Sequence, residues 1–402
     1  MSRLKVAFVV QGEGRGHMTQ ALALGAFLRD AGHEIMTVLV GRSPFRSLPD
    51  YFTGGIAAPV ETFDSPAQVP GADGRGVSIA RTARDAARRM PRFVAGGLRV
   101  HRATRPADVV VNFLDLVGGV SRLIFRSRVP AVAVAHNYVF LHPALSGAPG
   151  GRLVKRLVLG WARATAGGAA TRVALSFDPL PPAPDRSLVV APPLLRPGLE
   201  TVRARDDGYL LAYALNAGYG DMLAAWQRRN PDVTLHCYLD GGAAALRSPA
   251  GPGFHAHALN DRVFLDHLAG CRAYVGSAGF ESICEAFYLG KPVLAVPTAG
   301  QHEQTLNAWD AGRAGAARHG GYDGLDDFWG RPPTPSRGAV ERFRAWVASA
   351  PAALVGVVER AAARGRSPAA GTRPAGTRPG GTRPGSTRPG GRNGGAGQGG
   401  GP

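Results

Sequence analysis

Apolar runs and polar loops alternate regularly along the first forty residues. Leu4–Val10 is a continuous β-rich run, Gln11–Gly16 is a polar, glycine-rich loop, His17–Ala31 has apolar residues at helical spacing, and Glu34–Val40 is apolar again. Strand, loop, helix and strand in that order predict a βαβ unit and hence a parallel sheet. Buried strands at Val109–Val111 and Ala131–Ala135, with helical stretches between, extend it into an open α/β sheet. The proline-rich segment Pro179–Pro197 reads as a linker. A second set of strands then appears at Tyr209–Tyr213, Thr234–Tyr238, Ala273–Gly276 and Pro292–Pro297. The expected organisation is α/β throughout: a domain over 1–200, a similar one over 201–336, a helical segment over 337–363 packing on the fold, and a tail over 364–402. The tail repeats Gly/Ser-Thr-Arg-Pro at 371–374, 376–379, 381–384 and 386–389 and then becomes mostly glycine. With nothing to bury, it is expected to be disordered.

Composition supports two cores, since 45% of the 402 residues are hydrophobic. Charge refines the division. Of the formal +18, residues 1–200 carry +12, residues 201–363 carry −1 and residues 364–402 carry +7. Only three of the 47 basic residues are lysine, and the cationic tail lacks interleaved aromatics, so the charge does not point to nucleic acid. Residues 75–105 hold nine Arg against Asp85 alone, and Gly151–Arg163 mixes Lys155 and Arg156 with Leu153, Val154, Leu157 and Val158. A solvated helix face accounts for such a patch; an interfacial patch for an anionic membrane surface or an anionic, lipid-linked acceptor is the sharper expectation. Leu4–Val10 is too short for a signal-peptide core, and no run of 18 apolar residues occurs, so no membrane-spanning helix is expected. Cys237, Cys271 and Cys284 fall singly, without metal-ligand spacing, and read as inert thiols in a reducing cytoplasm.

Two loops carry candidate chemistry. Gly12, Gly14 and Gly16 follow the first strand and precede a helix, where backbone amides are open to a ligand. The dinucleotide fingerprint fails there: its last position is His17, and Val40-Gly41-Arg42 offers no acid for a ribose, which disfavours nicotinamide and flavin enzymes. His17, in the first turn of a helix at the carboxyl edge of a parallel sheet, is a candidate general base held neutral by the helix end, with packing or capping as the bland account. Asp115 follows another strand end and is a candidate to fix its tautomer, or an ordinary loop aspartate. In the second half, Gly276-Ser277-Ala278-Gly279 closes a strand, a helix follows, Gly290 supplies its C′ position and Pro292 opens the next strand. Free amides at Gly279–Ser282 would make an anion site suited to a diphosphate, Glu285 could hold a ribose, and Gln301-His302-Glu303-Gln304 offers partners for sugar hydroxyls.

The pattern Gly279-Phe280, Ser282, Glu285-Ala286, Gly290-Lys291-Pro292-Val293, Pro297, Glu303-Gln304 and Asn307 resembles the donor motif of GT-B fold glycosyltransferases. It is nearest the UDP-glycosyltransferases and the N-acetylglucosaminyltransferase of the peptidoglycan lipid intermediate. The loop ending at His17 is similar to that family's amino-terminal Gly-x-Gly-His loop.

The resemblance implies two Rossmann-like domains facing across a cleft and transfer of a hexose from a nucleoside diphosphate sugar, UDP above all, to an acceptor hydroxyl. It implies His17 as base with Asp115 as helper. Donor contacts are expected from Gly14, Gly16, Ser277, Gly279, Phe280, Ser282, Glu285, Gln301, Glu303 and Gln304. No cofactor is expected beyond the co-substrate, and with no Asp-x-Asp pair, no catalytic metal either. Plant-type members carry histidine where this chain has Ser277 and commonly asparagine where it has Glu281, a carboxylate that would repel a diphosphate if it pointed inward. A nucleotide-sugar 2-epimerase and a non-catalytic sugar-nucleotide or anionic-lipid binding protein are the alternatives. The expected location is the cytoplasm, with peripheral attachment to the inner face of the membrane.

Overall fold

The computed structural model describes residues 2–42, 48–71, 76–214 and 216–366. The Arg-Pro repeats of the tail, and Arg75 of the basic stretch, lie outside the described residues. The first half contributes strands β1 (Lys5–Gln11), β2 (Glu34–Arg42), β3 (Val60–Asp64), β4 (Val109–Phe113), β5 (Ala131–Ala135), β6 (Thr171–Leu175) and β7 (Leu188–Ala191). Its helices are α1 (Arg15–Asp30), α2 (Asp50–Gly55), α3 (Ile79–Thr104), α4 (Leu116–Ile124) and α5 (Arg152–Thr165). The strands pair in the order β3-β2-β1-β4-β5-β6-β7, every pairing parallel. Val6 to Val10 of β1 are buried without alternation, as a strand covered on both faces requires.

The second half adds strands β8 (Leu210–Ala214), β9 (Leu235–Leu239), β10 (Phe254–His257), β11 (Ala273–Ser277), β12 (Val293–Val296) and β13 (Arg318–His319). Helices α6 (Ala217–Arg229), α7 (Asp261–Gly270), α8 (Phe280–Tyr288), α9 (His302–Arg313) and α10 (Leu325–Gly330) connect them, and α11 (Arg337–Ala348) and α12 (Ala350–Arg366) follow. The sheet order β10-β9-β8-β11-β12-β13 is again wholly parallel. In both sheets the order reverses beside the first strand, and in such folds ligands bind at that switch point, outside the carboxyl ends of the strands.

One expectation is corrected here. Pro179–Pro197 is not a free linker, because it contains β7, which pairs with β6 from Arg172–Leu188 to Leu175–Ala191. Prolines flank this edge strand without interrupting its ladder, the place where a sheet tolerates them. The last helix returns to the first half: α12 packs against α1, β4, β5 and β7. It buries Leu354, Val357, Val358, Ala361 and Ala362, and Glu359 meets Nε2 of His33 at 3.2 Å. Among the described residues no helix is long and apolar enough to cross a membrane.

Candidate functional site

A cleft of about 250 Å³ is lined from the first half by the β1–α1 loop and the start of α1, and from the second by α8 and the approach to α9. Glycine is required where the loop turns. A Cβ on Gly12 would stand 2.5 Å from the carbonyl oxygen of Gly41, and one on Gly16 would stand 2.0 Å from a carboxylate oxygen of Glu281. Gly16 thereby admits α8 against α1.

His17 lies in the first turn of α1 and lines the cleft. Burial pushes its pKa down to about 4, against a hydrogen bond to Gln20 that raises it. Nδ1 is 3.3 Å from Oε1 of Gln20, whose Nε2 donates to Glu281 across the cleft. With the amide nitrogen committed to the carboxylate, its oxygen faces Nδ1, which therefore carries the ring proton. The lone pair is left on Nε2, on the side of Gly14.

The expected pairing of His17 with Asp115 is not found. Asp115 caps α4, accepting from the amide of Gly118 and the hydroxyl of Ser65, each at 2.7 Å. It is fully buried, and burial pushes its pKa up to about 6. The side chain that meets the imidazole is instead Gln20, itself bonded to Glu281.

The N-terminus of α8 is less open than the run Gly279–Ser282 suggests. Gly279 N–H donates to the carbonyl of Ser277 at 2.6 Å, and the Glu281 carboxylate accepts from its own amide. Burial pushes the Glu281 pKa up to about 7, opposed by Gln20 and that amide. Gly14, Ser277 and Ser282 line the cleft, and the Ser282 hydroxyl bonds the carbonyl of Gly279 at 3.2 Å. Phe280 is buried and stacks face to face on His136, centroids 3.9 Å apart at 10°. His136 in turn bonds the carbonyl of Leu175 through Nδ1 at 2.8 Å.

Glu285, expected to be available to a ribose, is 1% exposed and gripped by Arg196, whose Nε and Nη2 lie 2.7 and 3.1 Å from its two oxygens. Such a bidentate pair neutralises the carboxylate and fixes its plane. Gln304 uses its side-chain oxygen on the amide of Thr298 at 2.8 Å, and Gln301 reaches across the cleft to Gln68. Glu303 bonds Asn137, and burial raises its pKa. Tyr213, Tyr238 and Phe264 form an aromatic wall on the second half, and Leu259 and Asn260 also line the cleft there. Arg196 and Gln20 are, like the aromatic lining, site residues that the sequence does not flag. Arg196 sits among prolines 89 positions from its partner, and Gln20 lies 261 positions from Glu281.

Two parallel α/β domains with a cleft at their switch points define the GT-B class of glycosyltransferases. The chain belongs to glycosyl transferase family 1, whose family model matches residues 110–326. Its fold is similar to that of the calicheamicin glycosyltransferase CalG4, at 17% identity over 90% of this chain and 99% of that one, with a TM-score of 0.56. The glycosyltransferase SnogD from Streptomyces nogalater is similar at 19% identity over 90% and 100%, TM-score 0.54. The Streptomyces sp. SF2575 glycosyltransferase SsfS6, solved with thymidine diphosphate, is similar at 14% identity over 89% and 100%, TM-score 0.53. No curated protein matches the sequence.

Proposed function

We propose that this glycosyltransferase moves a sugar from a nucleoside diphosphate sugar to an acceptor hydroxyl, with inversion and with His17 as the general base. The observation that carries the reading is that His17 and the N-terminus of α8 line one cleft and are joined by the Gln20–Glu281 hydrogen bond. The nucleobase lies against Tyr213, Tyr238 and Phe264, and the diphosphate lies over the first turn of α8, where the helix end favours anions. The thymidine diphosphate held by the neighbour SsfS6 supports a nucleoside diphosphate as the ligand class.

Nε2 of His17 takes the proton from the acceptor hydroxyl as its oxygen attacks the anomeric carbon. A new carbon–oxygen bond forms while the bond to the diphosphate breaks, and the electron pair leaves with the nucleoside diphosphate. Attack opposite the leaving group inverts the anomeric centre. The imidazolium that forms donates through Nδ1 to Gln20, whose amide is polarised by Glu281, and backbone amides of α8 stabilise charge on the departing phosphate.

The test is a thermal-shift screen against UDP-, dTDP- and GDP-sugars, since a ligand of the native state raises the melting temperature. It is followed by turnover of His17→Ala on the donor that binds. Loss of about 10²–10⁴ in kcat with unchanged donor binding is expected. Near-normal turnover would remove His17 from the chemistry. Conversion of donor without any acceptor would favour the 2-epimerase, and donor binding without transfer to any acceptor a non-catalytic role.

A second reading concerns location. Ile79, Met90 and Val94 of α3, Leu123 and Ile124 of α4, and Leu153, Leu157 and Trp161 of α5 are exposed apolar residues on helices that pack side by side. Arg81, Arg84 and Arg88 of α3 and Arg152 and Arg156 of α5 are exposed on the same helices. Apolar side chains within a cationic field fit an anionic lipid surface, which would bring a lipid-linked acceptor to the cleft.

A further inference from the structure

We propose that His236, His257 and His267 form a binding site for a divalent transition-metal ion of the zinc class, at the edge of the second sheet behind the aromatic wall of the cleft. Three elements build it. His236 comes from β9, His257 from the adjacent edge strand β10, and His267 from the last turn of α7. One ligand nitrogen from each lies within 4.8 Å of the other two. Tetrahedral zinc, with Zn–N about 2.0–2.1 Å, holds its nitrogens about 3.3 Å apart, so small ring rotations close the site.

The rings are already arranged around a common point. Nδ1 of His236 and Nε2 of His257 are 2.8 Å apart and share one proton, which an ion would replace. The centroids of His236 and His267 are 4.3 Å apart, and those of His257 and His267 4.9 Å. The Tyr238 hydroxyl lies 2.9 Å from Nδ1 of His267 and fixes that ring from behind, which assigns ligation to Nε2. Bound histidines are commonly oriented in this way by a hydrogen bond on the other nitrogen. Neutral imidazole is the ligating form. Half-buried, uncharged nitrogen donors favour zinc and its transition-metal neighbours over magnesium or calcium, and three of them leave the fourth position to water.

The site would clamp β9, β10 and α7 together. Tyr238 and Phe264, from two of those elements, line the cleft, so the ion would brace the wall proposed for the nucleobase. The metal site itself depends on neither donor nor acceptor.

The test uses the full chain without a polyhistidine tag, titrated with Zn²⁺ against a chromophoric chelator and with Co²⁺ while its visible absorption is followed. One equivalent of Zn²⁺ and a tetrahedral cobalt spectrum are expected. Both should be lost in His257→Ala and His267→Ala and kept in His319→Ala, whose histidine is exposed on β13 at the opposite sheet edge. Tyr238→Phe should weaken Zn²⁺ binding about 10–100-fold. Circular dichroism of each metal-free variant reports folding, and if a variant does not fold, the cobalt spectrum of the parent protein decides. Octahedral aquo-cobalt absorption in the parent protein, or equal zinc binding by the folded His257 and His267 variants, would overturn the site and leave the cluster as aromatic packing.

Discussion

A carboxylate folded over the first turn of a helix does there what a bound phosphate would do. Glu281 is such a group, bonded to its own amide and to Gln20, with a pKa pushed up to about 7 by burial. A diphosphate approaching α8 must therefore meet either a neutral acid or a like charge. Glu281→Gln is expected to tighten binding of a sugar nucleotide at pH 8 by roughly tenfold, ~1.4 kcal/mol. At pH 6 the gain should be smaller, because there the native acid is already largely protonated. Calorimetric titration at the two pH values checks this, and an equal gain at both would exclude charge repulsion as the cause. Stability follows the same proton. The folded protein holds it longer than the unfolded chain does, so the destabilisation due to Glu281 is absent below its ordinary 4.5 and complete above about 7. His17 acts in the opposite sense: stability is lost as pH falls from its ordinary 6.5 through about 4.

At the scale of elements, the central strands were legible and the outer ones were not. β1, β4, β5, β8, β11 and β12 are nearly continuous apolar runs because both faces are covered. β3 reads Val-Glu-Thr-Phe-Asp with only Phe63 buried, and β7 hides among prolines; edge strands lack the pattern that identifies their neighbours. The loops holding His17 and Gly279 were legible because glycine and helix-start chemistry are local. The pairs Arg196–Glu285 and Gln20–Glu281 were not, since each joins side chains that only the tertiary fold brings together. Helices α3, α4 and α5 carry the apolar and arginine face. Co-sedimentation with vesicles is expected to rise with anionic lipid content and fall with salt. Leu153→Glu with Leu157→Glu, two exposed positions one turn apart on α5, should abolish it while leaving the melting temperature unchanged. Binding that ignores lipid charge would leave the face as ordinary surface.

For the molecule as a whole, α12 is the tie between the halves. It follows the second domain in sequence, yet its buried side is completed by α1 and by strands β4, β5 and β7 of the first. Leu354 is 1% exposed, so Leu354→Ala should cost about 2–5 kcal/mol in urea unfolding. A loss below about 1 kcal/mol would mean that the helix rests loosely on its groove. The return of α12 also sets a clock on biosynthesis. The first sheet is finished at Ala191, but the helix that covers part of it ends at Arg366. At synthesis rates of about 5–20 residues per second, the groove on the nascent first domain stays uncovered for roughly 9–35 s. During that interval its apolar lining is open to chaperones, or to the same groove on a neighbouring nascent chain.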